Sequence, residues 1–391
     1  MIDNIRNTLK NVSLKNFYIR ENYIEKVSEF INDDLPIWIK GNPWNGKTVL
    51  LYQIANNLLK QGINEDNIFF CSLKFSRNYN VFFTSQLNDY FYKYFNDKQI
   101  KGKIFVFIDD VSELVDYQNI VKVLPTEKFK LIFTSDVEIV FDERIHKIEL
   151  YPLSFVDFRK DKNKLDFILS KSCLPILNMP ELEINFIKEN VLNRIVFNIT
   201  RKYQIKDGFL LKWIIEFLSK NVGEYLTIKR IRDFFITNGY NVNFETIQDY
   251  IQFLVNENYI YKVEKYQTDG TLIKNYVKLY PYDNIFAYTY NLPVEKKLEH
   301  ILLIYFKSLG LEVFSVAIRG GDIPLVVRKN NMLEYFQMID SIDNSKRLSL
   351  LLNNFKKIKD FYPKYFFTLD TAKIDNILGI KNILPNNVKL F

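Results

Sequence analysis

The chain has 391 residues, of which 48% are hydrophobic and 25% are charged, and its formal net charge is +7 at pH 7. These fractions are ordinary for globular proteins and exclude a chain that is disordered, collagen-like or coiled-coil as a whole. At ~100–200 residues per domain, the length predicts two to four domains. Glycine is scarce, with 12 residues, or about 3% against a usual ~7%. We therefore expect each glycine where the backbone requires one.

The sequence lacks the patterns typical of membrane-spanning, secreted, disulfide-rich and zinc-binding proteins. No run of ~18 uncharged apolar residues predicts a membrane span, and the N-terminus has mixed charge without the apolar core of a signal peptide. Cys71 and Cys173 are too few for a disulfide framework or a zinc site, and we expect them to be buried in a reducing cytoplasm. With His146 and His300 as its two histidines, an enzyme of this sequence would work with carboxylates, Lys, Arg and bound metal.

In chain order, the first half alternates strand-like apolar runs with helical periodicity, which is the pattern of a parallel α/β sheet. Strands are predicted at 36–40, 68–73, 104–108, 131–134 and 148–150, with a helix at 48–61 and an aromatic-rich amphipathic stretch at 81–95. Residues 161–203 contain no glycine and are predicted to be helical.

The second half begins with the order helix, helix, helix, hairpin. Helices are predicted at 210–220, 228–238 and 244–256, and strands at 259–266 and 272–279 around a turn with Asp269-Gly270. This order outlines a winged helix-turn-helix. From Lys296 a separate mixed α/β unit is predicted, with helices at 298–308 and 346–357 and strands at 311–316, 324–327, 335–339 and, as the last, 364–369.

The strongest functional motif lies between a predicted strand and a predicted helix and matches the phosphate-binding pattern G-x-x-x-x-G-K-[ST]. Its candidate nucleotide-binding residues are Gly41, Asn42, Pro43, Trp44, Asn45, Gly46, Lys47 and Thr48. The two glycines let the backbone curl so that N–H groups and a helix N-terminus face a triphosphate. Lys47 is expected to contact the β- and γ-phosphates and the Thr48 hydroxyl to ligate Mg²⁺. The motif therefore predicts ATP and Mg²⁺ as cofactors.

The buried strand predicted at 104–108 ends in two acidic residues, Asp109 and Asp110. A carboxylate at the end of such a strand, beside the P-loop strand, orders Mg²⁺, and Asp109 is the candidate metal ligand. Asp110 stands where many ATPases of the additional-strand class place a Glu that polarises the attacking water. Because Asp is one methylene shorter, slow activation is expected. Glu113 is the alternative for this role, unless it is a solvated surface charge.

Two further candidates lie at the end of the strand predicted at 131–134 and after it. Thr134 is expected either to sense the γ-phosphate and the lytic water or to cap the strand with its hydroxyl. Arg144 is expected either to act as an arginine finger across a subunit interface or to be exposed and paired with its acidic neighbours. Trp44 and Tyr52 are expected either to flank the site or to pack against other side chains.

Together these residues resemble a family of prokaryotic, mainly archaeal, AAA+-type ATPases. The resemblance rests on the P-loop, Asp109-Asp110, Thr134-Ser135 and residues 151–158 (YPLSFVDF), where Asp157 replaces the Glu of the family pattern L-x-P-L-S-F-x-E-F. It continues through 194–198, the winged helix, and the closing segments 361–370 and 379–381, which are similar to those of a restriction-endonuclease-like domain.

The resemblance implies an α/β fold with a P-loop NTPase parallel sheet of the AAA+ or additional-strand type. A helical lid, a winged helix-turn-helix and a C-terminal mixed α/β restriction-endonuclease-like domain would follow this sheet. The implied domains are an ATPase core at 1–160, the lid at 161–203, the winged helix at 204–292 and the restriction-endonuclease-like domain at 293–391.

The sequence departs from the family pattern at two places. Pro43-Trp44 stands where family P-loops usually carry an arginine, so one charge on the phosphate side is absent. Nuclease-like domains of this type bind metal through an acidic residue and an E-x-K element. Here Asp322 remains, Pro324 stands where a second acid is expected, and Gln337 and Ile339 replace the Glu and the Lys. A lone carboxylate cannot organise two-metal hydrolysis, so we expect this domain to be catalytically inactive.

The charge distribution leaves nucleic-acid binding open. Residues 206–283 carry ten Lys and Arg and ten Asp and Glu, and the third helix of the predicted winged helix, 244–256, has no basic residue. The predicted winged helix is therefore as well suited to packing against protein as to binding DNA bases. Residues 296–391 carry fifteen Lys and Arg against nine Asp and Glu. This surplus predicts either a site for a nucleic-acid backbone or a solvated charged surface.

Two functions from different classes remain open. The first is a cytoplasmic Mg·ATP-dependent ATPase with weak turnover, whose nucleotide state moves the winged-helix and C-terminal modules, on DNA or otherwise. The alternative is a nucleotide-gated binding switch with little turnover that engages a protein or nucleic-acid partner. Asp110 and the missing P-loop arginine favour the alternative somewhat. Besides ATP, the expected partners are nucleic acid at the basic C-terminal segment and a protein or a second copy of the chain, and no membrane.

Overall fold

The computed structural model describes residues 2–4, 17–74, 81–96, 100–125, 127–154, 181–288, 290, 292–368, 376–377 and 379–383. The chain divides into two units, Met1–Tyr151 and Pro152–Phe391, and each unit has its own β-sheet. Within these ranges, no helix combines the length and the apolar character that a membrane crossing requires.

The first unit alternates strands and helices along the chain. Its strands are β1 (Ile2–Asn4), β2 (Ile37–Gly41), β3 (Ile68–Ser72), β4 (Ile104–Asp109), β5 (Phe129–Ser135) and β6 (His146–Leu150). Its helices are α1 (Glu21–Phe30), α2 (Lys47–Lys60) and α3 (Thr84–Asn96). The five apolar runs predicted to be strands form β2 to β6, whereas β1 and α1 are elements without a sequence prediction.

The described strands of the first unit form one sheet in the order β1-β3-β4-β5-β2-β6. Strands β2 to β6 are mutually parallel, and β1 is antiparallel to β3 at the edge. The prediction that the Asp109 strand lies beside the P-loop strand is wrong, because β5 lies between β4 and β2. Apolar patterning identifies buried strands but does not specify their lateral order. An additional strand at this place defines the additional-strand type of P-loop sheet, so the predicted α/β class with a P-loop-type parallel sheet is confirmed.

The sheet of the first unit is covered on both faces. Successive residues of a strand point to opposite faces, and in β4 the residues Ile104, Val106 and Ile108 belong to one apolar cluster while Phe105 and Phe107 belong to the other. The first cluster includes residues of α3, and the second includes residues of α1 and α2. Because both faces are apolar, the polar residues of these strands lie at the strand ends.

The second unit contains the remaining elements. Its helices are α4 (Glu181–Tyr203), α5 (Gly208–Lys220), α6 (Ile228–Thr237), α7 (Phe244–Asn256), α8 (Ile285–Tyr288), α9 (Val294–Ser308) and α10 (Ser345–Lys356). Its strands are β7 (Tyr225–Leu226), β8 (Ile260–Tyr266), β9 (Leu272–Pro281), β10 (Glu312–Ile318), β11 (Gly321–Lys329), β12 (Met332–Ile339), β13 (Lys364–Thr368), β14 (Asn376–Ile377) and β15 (Ile380–Ile383). They form a mixed sheet in the order β14-β15-β13-β12-β11-β10-β8-β9-β7.

Two features of the second unit differ from what the sequence pattern predicts. The hairpin β8–β9 and the strands after it share one sheet, because β8 and β10 pair in parallel at Lys265 with Ser315 and at Tyr266 with Val316. So short a contact leaves no trace in the periodicity of either strand. The prediction that residues 364–369 form the last strand is wrong, since β14 and β15 follow. These strands have two and four residues, which is too short for an alternating pattern to be recognised.

Candidate nucleotide-binding site

Polar residues of the first unit converge at the carboxyl edge of its parallel sheet. Strands β2, β3, β4 and β5 end at Gly41, Ser72, Asp109 and Ser135. In open α/β sheets, ligands bind outside this edge. Residues that directly follow these strands therefore become neighbours although they are distant in sequence.

The loop from β2 to α2 depends on its two glycines for different reasons. A Cβ atom on Gly41 would lie 3.1 Å from the carbonyl oxygen of Leu150 and 3.2 Å from Cγ of Lys47, so these neighbours would have to move by a few tenths of an ångström to accept a side chain. Gly46, which caps the N-terminus of α2, has a φ of 87°, a left-handed conformation that L side chains rarely adopt. Helix α2 therefore begins at Lys47 with its N-terminal N–H groups at the edge of the sheet, where they favour an anion.

The other loop residues are held by neighbouring groups. Nζ of Lys40 donates to Oδ1 of Asn42 at 3.2 Å, and Nδ2 of Asn45 donates to the carbonyl oxygen of Leu150 at 2.8 Å. Pro43 is buried, whereas Trp44 is 41% exposed with a φ of 66°. Tyr52 packs on Phe70, with ring centroids 4.6 Å apart.

Lys47 is buried and folded over the loop. Its Nζ donates to the carbonyl oxygens of Gly41 at 2.8 Å and Asn42 at 3.0 Å and is ion-paired with Oδ1 of Asp136. Lys47 is 8% exposed and Asp136 is 4% exposed. An ammonium removed from water needs acceptors for its three N–H groups, and these three oxygens supply them.

Thr48, Asp109 and Lys74 form a second cluster. Oγ1 of Thr48 donates to Oδ2 of Asp109 at 2.8 Å and accepts from Nζ of Lys74 at 3.0 Å, and Nζ lies 3.2 Å from Oδ2 of Asp109. Asp109 is 1% exposed, whereas the Lys74 side chain is 48% exposed. Burial lowers the pKa of Lys74, but its attraction to Asp109, with smaller contributions from Asp110 and Asp136, outweighs burial and raises the pKa. Lys74 therefore carries a positive charge beside the P-loop.

Thr134 connects the ends of β4 and β5. Its fully buried hydroxyl donates to Oδ1 of Asp109 at 3.0 Å and accepts from the backbone N–H of Asp110 at 2.8 Å. Asp110 is buried with a left-handed φ of 65°, and its Oδ1 accepts from the hydroxyl of Ser112 at 2.6 Å. The structure thus brings Lys47, Thr48 and Thr134 together with both acidic residues at one edge.

Glu113 and Arg144 are the remaining predicted site residues. Glu113 is half-buried at the end of a 3₁₀ turn, where its backbone N–H donates to the carbonyl oxygen of Asp110 at 3.2 Å. Arg144 is exposed and forms no ion pair within the described ranges, while its neighbour Glu143 pairs with Lys122 at 3.2 Å. Arg144 is thus exposed as expected, but the expected ion pair with its acidic neighbours does not occur among the described residues, where Glu143 pairs with Lys122 instead.

Lys74 and Asp136 belong to the site but were not among the predicted residues. Lys74 lies directly after the strand predicted at 68–73, and Asp136 lies two residues after the strand predicted at 131–134. A search for charged residues within two positions after every predicted parallel strand would have found both, because these strand ends meet at one edge.

Comparison with known proteins agrees with this geometry. A sequence profile described as an AAA domain matches residues 33–159. This segment is similar to AAA domains. It includes the P-loop, Asp109 and Thr134, so the resemblance to AAA+-type ATPases is confirmed over these residues. An AAA-type domain implies nucleotide binding, and the sheet order is that of a P-loop ATPase.

Two relatives illustrate how distant the matches of the whole chain are. A protein of Haemophilus influenzae described as uncharacterised is 26% identical in an alignment 398 positions long, gaps included, that covers 92% of this chain and 96% of that protein. The Walker-type ATPase of Pyrococcus abyssi is 13% identical, with 70% of this chain and 95% of that chain covered and a TM-score of 0.43.

A third comparison is with a protein solved in complex with DNA. The ORC1 protein of Aeropyrum pernix is 8% identical, with 69% of this chain and 91% of that chain covered and a TM-score of 0.30. Neither of these two solved structures is similar enough to assign a function to this chain.

Proposed function

We propose that the chain is a Mg·ATP-dependent ATPase with weak turnover that works through its P-loop. The observation that carries this proposal is the hydrogen bond of 2.8 Å between Thr48 and Asp109. It joins the start of α2, the helix that follows β2, to the end of β4, although β5 lies between β2 and β4 in the sheet. The P-loop and the strand-end carboxylate thus act at one place.

The residues fit a bound Mg·ATP. The N–H groups at the start of α2 and the ammonium of Lys47 bind phosphate oxygens. The Thr48 hydroxyl and the Asp109 carboxylate are oxygen donors of the kind that Mg²⁺ takes together with substrate phosphates. A cation held by these two residues would neutralise negative charge on the phosphates. Phosphate oxygens of the nucleotide would supply further donors.

Asp110 is the better supported candidate for positioning the attacking water. It is buried beside Asp109 at the sheet edge, whereas Glu113 lies in the following 3₁₀ turn. The Ser112 hydroxyl occupies one oxygen of Asp110, and this contact and the short side chain are the two reasons why we expect slow turnover. Thr134 positions the Asp109 carboxylate directly and Asp110 through its backbone N–H, and Arg144 acts as a finger in a homo-oligomer.

A nucleotide-gated switch with little turnover is the second candidate, and the pairing of Lys47 with Asp136 favours it. A steady-state ATPase assay on the wild type, Lys47→Ala and Asp109→Ala separates the two. The ATPase proposal expects turnover that both substitutions abolish. Turnover unaffected by either substitution would overturn it, and ATP binding without turnover would favour the switch.

The proposed modules keep the boundaries predicted from the sequence: an ATPase core at 1–160, a lid at 161–203, a winged helix at 204–292 and a restriction-endonuclease-like domain at 293–391. The succession α5, α6, α7 and the hairpin β8–β9, with β7 paired to β9, supports the winged helix. Of the lid, α4 is described. Residues 155–158 of the Pro-Leu-Ser-Phe motif and Cys173 lie outside the described residues.

The contacts of the C-terminal module support the proposal that it is not a nuclease. Gln337 is buried and its Nε2 donates to the carbonyl oxygen of Leu351 at 2.8 Å. Oδ2 of Asp322 accepts from the Tyr225 hydroxyl at 2.9 Å and lies 3.3 Å from Nζ of Lys278. Both residues therefore have structural partners. We expect no DNA cleavage with Mg²⁺ or Mn²⁺, and cleavage that Asp322→Ala abolishes would overturn this proposal.

Nucleic acid and a second copy of the chain are the proposed macromolecular partners. The surplus of six basic residues in 296–391 supports a nucleic-acid backbone as ligand, and the buried free Cys71 fits a cytoplasmic location. ATP turnover with and without DNA, on a sample of known mass in solution, tests both partners. Stimulation by DNA supports the first, and a monomer with unchanged turnover contradicts both.

A further inference from the structure

Lys74 places a second ammonium at the site, against the two groups proposed as ligands of the cation. Its Nζ lies 3.0 Å from Oγ1 of Thr48 and 3.2 Å from Oδ2 of Asp109, and these two oxygens are 2.8 Å apart. One positive charge thus touches both oxygens at once, as a divalent cation bound to them would.

We propose that the Lys74 ammonium and the divalent cation compete for these two oxygens. Lys74 holds Thr48 and Asp109 until the cation displaces it, so it sets how strongly nucleotide binding depends on Mg²⁺. This inference rests on the proposed function, because it assumes that a nucleotide brings the cation to the P-loop. Lys74 is in this view a residue that tunes cofactor dependence rather than a catalytic residue.

The two oxygens are fixed, whereas the ammonium is free to leave. Oδ1 of Asp109 is bound by the Thr134 hydroxyl, its Oδ2 is bound by Thr48, and the carboxylate is 1% exposed. Lys74 directly follows Leu73, and its half-exposed side chain carries the ammonium on a flexible four-carbon stem. The rigid side of the contact is therefore the pair of oxygens.

Electrostatics make the two occupants exclusive. An ammonium and a divalent cation on the same two oxygens would be within a few ångströms of each other, where like charges repel strongly in a partly buried site. Lys47 does not replace Lys74 in this contact, because its own ammonium has Gly41, Asn42 and Asp136 as acceptors. Removing the Lys74 charge is therefore expected to favour the divalent cation.

The test measures how much Mg²⁺ strengthens nucleotide binding. The full chain is titrated with the fluorescent analogue mant-ATP in EDTA and at saturating Mg²⁺. The Kd in EDTA divided by the Kd in Mg²⁺ reports how much the cation strengthens nucleotide binding. We expect this ratio to rise about threefold to tenfold in Lys74→Met and Lys74→Gln, the scale of a partly exposed ion pair. Lys74→Arg, which keeps the charge, is expected to stay near the wild type.

Lys60→Met is the matched control, since Lys60 is an exposed lysine at the end of α2, and thermal unfolding checks the fold of each variant. A ratio in both neutral variants that equals or falls below the wild-type ratio overturns the inference while the proposed function stands. If the wild type does not bind mant-ATP under either condition, the proposed function fails and the inference fails with it.

Discussion

The ammonium of Lys47 is ion-paired with the buried carboxylate of Asp136. Asp136 directly follows β5, the additional strand between the P-loop strand and the Asp109 strand. A triphosphate and Asp136 are therefore rivals for the same ammonium, and the Asp136 carboxylate also repels the anion. The P-loop of this chain thus has a competitor for its lysine built into the sheet edge.

Asp136→Asn is expected to tighten ATP binding about tenfold, because it removes a negative charge near the phosphates while keeping an acceptor for Lys47. It is also expected to lower the unfolding temperature without nucleotide, because Lys47 loses its buried counter-charge. Calorimetric titration with ATP and thermal unfolding measure the two effects. Asp142→Asn, at an exposed position, is the control. Weaker ATP binding by a folded Asp136→Asn variant would contradict the competition.

Thr134→Val removes the hydroxyl that joins β5 to the end of β4. Because Oδ1 of Asp109 and the N–H of Asp110 then lose a buried partner, the free energy of unfolding is expected to fall by about 1–3 kcal/mol. Thr134→Ser keeps the hydroxyl and is expected to lose less. Urea titrations of the three proteins measure the difference. A valine variant as stable as the wild type would show that Thr134 does not position the carboxylates.

Gly41→Ala is expected to weaken ATP binding, because the added Cβ would meet Leu150 and displace Cγ of Lys47. Gly62→Ala is the control, since Gly62 has a left-handed φ of 89° but no atom within 4 Å of the added Cβ. It is expected to cost about 1 kcal/mol of stability and to leave ATP binding unchanged. ATP titrations of both variants decide the matter, and equal affinities in the two would contradict the close fit around Gly41.

His300 is expected to be neutral in the folded chain down to acidic pH. Burial lowers its pKa to about 4, although the carbonyl of Pro281, 2.6 Å from Nε2, and the charge of Glu299 raise it. The unfolded chain takes up a proton near pH 6.5, so this group's stabilising contribution is present above pH 6.5 and is lost as the pH falls towards 4. The loss amounts to about 3 kcal/mol.

An NMR titration of the imidazole protons measures this pKa directly. The chain has two histidines, so His300→Gln assigns the two signals. A signal of His300 that titrates near pH 6.5 in the folded chain would contradict the prediction.

The sequence was sufficient for the parts of the fold and site that have local signals. The glycine spacing of residues 41–46, the lysine after it and the apolar run before Asp109 each specify a backbone or a burial requirement within a few residues. These signals predicted a P-loop, the strands β2 to β6 and the positions of Lys47, Thr48 and Asp109 at one edge.

Local signals could not predict the partners of these residues. The order of parallel strands depends on pairing across the whole sheet, so the separation of β4 from β2 was missed. Lys74 and Asp136 are ordinary charged residues in sequence and become site residues when the strand ends meet. The short strands β14 and β15, and the pairing of β8 with β10, likewise depend on contacts distant in the chain.

The most direct test of the account is a calorimetric titration of the full chain and of Lys47→Met with ATP in the presence of Mg²⁺. We expect the wild type to bind one ATP per chain, and Lys47→Met to lose about tenfold or more in affinity, because the lysine is the buried cation of the P-loop. Equal affinities in the two proteins, or no binding by the wild type, would contradict the nucleotide site at residues 41–48.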